Sequence, residues 1–124
     1  AIFAHQSFIR IAAQKGMIFH PFTVADTLSD GQEIRVGDDL WKVIHVPGHT
    51  PGSIALYDKQ KDILISGDTL FAEGIGRTDF VGSNPTDMDA SLQKLHDLVA
   101  SRIFPGHGPL VDIPRRAMKR TTFL

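Results

Sequence analysis

The sequence contains no cysteine. That excludes a disulfide framework and any thiolate metal site, so a metal ion held by this chain must rest on histidine nitrogen and carboxylate oxygen. No apolar run approaches the roughly 20 residues that a membrane-spanning helix needs, and no basic stretch precedes an apolar one at the start, as in a signal peptide. The expectation is a protein with no membrane partner, placed in the cytoplasm by default. An excess of one charge is also missing. The formal net charge is −1, so no nucleic-acid partner is expected, and the short basic run "RRAMKR" (residues 115–120) reads as the solvated face of a surface helix. Repeats, linkers and low-complexity segments are absent as well. What is there, 124 residues with 42% hydrophobic and 22% charged content, is the composition of one globular domain or a piece of one. The chain opens on "AIFAHQSF", without methionine, and enters an apolar run at once.

The order of elements follows from periodicity and punctuation. Residues 1–5 suit a buried strand, and residues 6–16 a helix with Phe8, Ile11 and Ala12 at helical spacing and Gly16 as its stop. Asp30 and Gly31 in "SDG" mark a tight reversal before the strand "EIRV". "DLWKVIHV" alternates Leu40, Lys42 and Ile44 against Trp41, Val43 and His45, and "SIALYD" and "DILISGD" are strands joined by the turn "DKQKD". This middle section reads as an antiparallel meander. "FAEGIGRTDFVGSNP" reads as a long loop. "TDMDASLQKLHDLVA" reads as a helix capped by Thr86 or Asp87, with Leu92, Leu95, Leu98 and Val99 as its apolar stripe. "RIFPGHGP" is a strand ending in a loop, and residues 113–120 form a last helix with Pro114 in its first turn.

Three residues share one kind of position. In "HVPGHTPGS", His45 and His49 are four apart, but Pro47 and Gly48 between them forbid the helix on which such a pair binds zinc. The loop therefore presents one histidine, His49. Asp68 in "SGDTL" and His107 in "PGHG" likewise stand just beyond apolar strands and beside glycine. If those strands share one sheet, the three side chains meet on one rim, where glycine lets backbones approach closely. Two imidazoles and a carboxylate suit zinc or iron. Singly, each has an ordinary explanation as a turn or cap residue; the repetition of context is what sets them apart. His5, His20, His45 and His96 lack that context and read as structural or surface residues. Arg77 and Asp79 in "GRTDF" either pair with each other or leave Arg77 free to meet a substrate carboxylate.

The segments "HVPGHTPGSIALYD", "LISGDTLF", "GIGRTDF" and "FPGHGP" resemble, in order and spacing, the metallo-β-lactamase superfamily, and most of all its glyoxalase II-like hydrolases. The resemblance runs from about Ala1 to Pro109. It implies an α/β fold, the αββα sandwich of two similar halves, with two metal ions at the sheet edges. It also implies that His49 binds the first metal, Asp68 bridges both and His107 binds the second. The ions would be zinc, with iron or manganese as alternatives, and metal-activated water would attack the carbonyl of a small-molecule thioester such as S-lactoylglutathione. The motif His-x-His-x-Asp-His that supplies four further ligands in that family does not occur here. Residues 1–124 are therefore expected to be the C-terminal half of such a domain, a mostly antiparallel sheet with flanking helices. Alone it would bind zinc weakly, be inactive, and expose a half-sheet that invites homo-oligomers. An iron-dependent persulfide dioxygenase, a nuclease or lactonase of the superfamily, and a non-enzymatic interaction module are the alternatives.

Overall fold

Four short runs of alternating side chains, separated by turns that only certain residues can make, build the centre of the sheet. In a computed structural model, which describes residues 14–17 and 24–113, these are β1 (Glu33–Val36), β2 (Asp39–His45), β3 (Ile54–Asp58) and β4 (Ile63–Gly67). Each pairs antiparallel with the next. Gly37, at φ +63°, makes the first turn, a conformation that costs glycine little. The turn between β3 and β4 is held by the buried Asp58, whose carboxylate accepts hydrogen bonds from the backbone N–H groups of Gln60 and Lys61.

After β4 the chain forms a two-stranded hairpin, β5 (Leu70–Phe71) with β6 (Gly74–Ile75), and then helix α1 (Pro85–Asp97). It returns as β7 (Arg102–Pro105), parallel to β4, and ends in β8 (Val111–Asp112), antiparallel to β7. The sheet order is β1-β2-β3-β4-β7-β8. Direction is the property that matters for function. β2 and β4 both run opposite to β3, and β7 runs with β4, so the C-terminal ends of β2, β4 and β7 lie on one rim.

One face of the sheet packs on α1. Ile44, Ala55, Tyr57, Leu64 and Ile103 are buried there with Leu95 and Ala100, and the Tyr57 hydroxyl donates to the Leu98 carbonyl at 3.2 Å. On the opposite face the register sets Val43, Leu56, Ile65 and Phe104 side by side across four strands. Val43 is fully buried, while Ile65 and Phe104 remain 39% and 41% exposed.

The meander and the order of elements match the sequence reading, and four details differ. The long loop after β4 contains the β5–β6 hairpin. The sheet includes one parallel pair, β4 with β7, and a short final strand, β8, that two residues of sequence could not announce. The cap of α1 is Asn84 rather than Thr86 or Asp87. Asn84 is extended (φ −146°, ψ 114°), and its side chain accepts from the N–H groups of Thr86 and Asp87. Pro85 then occupies the first turn, where its missing N–H leaves no partner wanting. Finally, Leu95 is buried and Leu92 and Leu98 pack against the core as the stripe predicts, but Met88 and Ser91 are buried as well. Val99 is 52% exposed, at φ +55°, where the chain turns out of the helix. The strand at residues 1–5, most of the helix at 6–16, the helix at 113–120 beyond its first residue, and His5 and His20 lie outside the described residues.

Two stability outcomes follow. Asn84→Ala removes acceptors from two N–H groups at the helix start, and should lower unfolding free energy by about 1 kcal/mol in urea titrations; an unchanged midpoint would take the cap away from Asn84. Asp30, at the turn before β1, accepts the His45 N–H at 2.7 Å. That bond first, with help from Lys94, holds its carboxyl below the ordinary 3.8. The folded pKa is the lower one, so this stabilisation is present above about pH 4 and fades as pH falls through the folded value. The stability gap between the native chain and Asp30→Ala should therefore narrow below about pH 4.

Candidate metal centre

The loop after β2 has irregular backbone whose polar groups need partners, and α1 supplies them. Lys94 Nζ donates to the His45 carbonyl at 3.0 Å, Ser91 Oγ to the Pro47 carbonyl at 2.6 Å, and the Asn84 N–H to the Gly48 carbonyl at 2.8 Å. Gly48, at φ +139°, lies against the helix so closely that a Cβ there would sit 2.5 Å from Met88 Cα. His45 turns inward to the loop, donating from Nε2 to the Pro51 carbonyl at 2.9 Å. It fastens the loop that presents His49, as the sequence reading of a structural histidine expects.

His49 is fixed from behind. Its Nδ1 lies 3.0 Å from the Arg77 carbonyl. A carbonyl can only accept, so Nδ1 carries the proton and the Nε2 lone pair faces the rim, the arrangement found in metal-binding histidines. Phe80 packs against the ring, edge to face, at 5.0 Å.

Asp68 follows Gly67, which adopts φ +55° at a register irregularity between β4 and β7. Two glycines crowd it. A Cβ on Gly106 would lie 2.3 Å from Asp68 Oδ1, and one on Gly76 would lie 1.9 Å from the Asp68 carbonyl oxygen. The Gly106 N–H donates to the Gly67 carbonyl at 2.8 Å, and the Gly76 N–H to that of Thr69 at 3.1 Å. His107 emerges from the loop after β7, its side chain 79% exposed, with Phe71 edge-on at 6.0 Å.

The three candidates thus meet on one rim, arranged about Asp68. Its Oδ2 lies 3.8 Å from His49 Nε2 and its Oδ1 lies 3.4 Å from His107 Nε2. These spans are long for hydrogen bonds. Two ligands about 2.1 Å from a tetrahedral ion stand about 3.4 Å apart, so the His107 pair has the spacing of a metal-binding pair and the His49 pair is slightly wider. Among the described residues no three histidine or acidic side chains surround a single point. The pattern is two His–Asp pairs sharing one carboxylate, a donor set that fits two ions, with further ligands needed for each to reach four-coordination.

Arg77 takes the first of the two arrangements open to it. Its Nε and Nη2 donate to the two Asp79 oxygens at 2.8 and 3.0 Å. This mutual pairing holds the Arg77 guanidinium above its usual range and the Asp79 carboxyl below its own. Its side chain is engaged by Asp79, and its backbone carbonyl is what touches the site. Sequence reading missed Gly76, Gly106 and the three clamps from α1. Gly106 stands beside His107 in the sequence and Gly76 beside Arg77, but only the fold shows what they make room for.

Residues 3–107 match a family model described as the metallo-beta-lactamase superfamily. A probable metallo-hydrolase, YqgX, of Bacillus subtilis is 43% identical over 96 residues, 72% of this chain and 44% of that protein. The hydroxyacylglutathione hydrolase GloC of Haemophilus influenzae is 33% identical over 68% of this chain and 41% of its own length. Among solved structures, TTHA1623 in a di-iron-bound form covers 92% of this chain and 56% of its own at 34% identity, with a TM-score of 0.72. ETHE1 from Myxococcus xanthus covers 75% and 42% at 32% identity, with a TM-score of 0.64. The chain spans less than half the length of these curated relatives.

The glycine contacts are testable. Gly76→Ala and Gly106→Ala should each cost at least about 2 kcal/mol through overpacking, whereas Gly74→Ala, with open space around its Cβ, should stay within about 0.5 kcal/mol of the native chain. Equal denaturation midpoints for all three would refute the close approach.

Proposed function

Because this chain belongs to the metallo-beta-lactamase superfamily and has its fold, we propose that His49, Asp68 and His107 are its contribution to a two-metal centre of a hydrolase acting on small thioesters. The observation that carries this reading is the Asp68 carboxylate with one oxygen toward each histidine. That geometry favours a bridge over a single-ion site built from two histidines and one aspartate, the arrangement a mononuclear dioxygenase would need. Thioesters are proposed from the likeness to GloC. Zinc is the proposed metal from the donor set, and the di-iron form of a similar structure supports iron as the alternative.

Two ions held there would polarise a carbonyl and lower the pKa of water toward neutrality. The chain's own part is positional. The Arg77 carbonyl keeps His49 in the tautomer whose Nε2 is free. Gly67, Gly76 and Gly106 bring backbone against Asp68 and restrict where its carboxylate points. Phe80 shields one side of His49, and the exposed His107 forms the open side by which substrate reaches the rim. Arg77 is assigned to loop scaffolding through Asp79 rather than to substrate.

Calorimetric titration of the intact parent with zinc, and with ferrous iron under anaerobic conditions, tests the bridge. Asp68→Ala should weaken binding more than His49→Ala or His107→Ala, because one carboxylate serves both ions; equal losses in all three would remove the bridging role. Hydrolysis of S-lactoylglutathione and of a neutral thioester by the metal-loaded intact parent, which carries the ligands missing from these 124 residues, tests the substrate; no turnover of either would sink the thioester reading while leaving the metal assignment standing.

A further inference from the structure

Beside the metal-binding rim, on the His107 side of Asp68, lies an open hollow of about 300 Å³. Its walls are the β5–β6 hairpin and the loop after β7, through Phe71, Ala72, Glu73, Ile75, His107 and Pro109. Four of these six side chains are apolar. Ile75 is nearly half exposed, as is Leu110 just after the lining loop. The volume is at the lower end for small-ligand sites, and an apolar lining with few polar groups is their usual character. Among the described residues Glu73 is the only acidic one that lines it, and His107, a candidate metal ligand, forms one wall.

The placement says what part of a ligand would go there. A molecule whose reacting bond reaches the rim between His107 and Asp68 has one substituent directed over the β5–β6 hairpin. Burying that substituent against Phe71, Ile75 and Pro109 removes apolar surface from water on both partners, which favours a hydrocarbon group. In the metal-free chain a carboxylate there would meet Glu73 with no lysine or arginine among the described lining residues to offset it.

We propose that this hollow holds the uncharged, apolar part of the substrate adjacent to its reacting bond, with Glu73 disfavouring anionic groups. The word substrate takes the hydrolase reading as given, while the binding itself needs no turnover. Glu73 is a specificity residue in this assignment, selecting neutral acyl or alkyl chains over acidic ones.

The test uses the 124-residue chain stripped of metal with a chelator, so that no probe is held by an ion. Hexanamide and hexanoate, equal in chain length and differing in charge, are titrated while the methyl NMR signals of Ala72 and Ile75 are followed. Hexanamide should shift both signals and bind about threefold more tightly than hexanoate, the effect of one charge at roughly 7 Å in water. Glu73→Lys, a change at an exposed hairpin position, should invert that order. Ala72→Trp, which fills the hollow, should abolish the Ile75 shift. Absent shifts at both methyls, equal affinity for the two probes, or an order unchanged by Glu73→Lys would each overturn the assignment. Failure of thioester hydrolysis would leave these titrations as they are, so the two readings fail separately.

Discussion

The hydrogen bond from the Gly106 N–H to the Gly67 carbonyl draws the ends of β4 and β7 together, and the geometry of the rim depends on how closely those two backbones run. Asp68 follows one and His107 the other. Side chains on either glycine would collide with backbone or with the Asp68 carboxylate, or would be forced into a left-handed conformation. The approach that sets Asp68 Oδ1 3.4 Å from His107 Nε2 is therefore a property of residues that have no side chain. The glycines set the distance between the carboxylate and the imidazole.

Helix α1 plays the matching part for His49. A loop containing two prolines cannot satisfy its own carbonyls by regular structure; two of them, and that of His45 at the end of β2, are met from α1 and its cap by Ser91, Asn84 and Lys94. The same helix buries Met88 and Leu95, so its packing and the placement of the loop are coupled. This explains why a buried polar residue, Ser91, sits on the helix face where an apolar one would otherwise be expected. Its hydroxyl donates to Pro47 and is not left unsatisfied.

Much of this was legible in the sequence, and what was not has identifiable causes. The meander could be read because Ile44, Ala55, Leu64 and their neighbours alternate with clear turns between them. His49, Asp68 and His107 could be singled out because each combines a strand end with glycine, a local pattern. Their mutual arrangement could not, since it depends on β7 lying beside β4 in parallel, and strand partners are set by tertiary packing. The cap was misplaced because Asn84-Pro85 reads as a turn signal as readily as a helix start. Met88 escaped because the apolar stripe was traced from leucines, and the helix turns Val99 out to solvent where its own path ends. Arg77 could be read either way. The fold shows that its Nε and Nη2 both donate to Asp79.

The parallel pairing of β4 with β7 also bears on how the molecule folds. Neighbours in the β1–β4 meander are close in sequence, so those contacts form with little loop-closure entropy. β7 reaches β4 only after the hairpin, the loop and all of α1 have been accommodated, a closure across more than 30 residues. Long-range closure of this kind comes late on a folding route. The meander can therefore form with Asp68 already at the end of β4, while both histidines wait on later chain: His49 on Arg77 and α1, His107 on the pairing of β7.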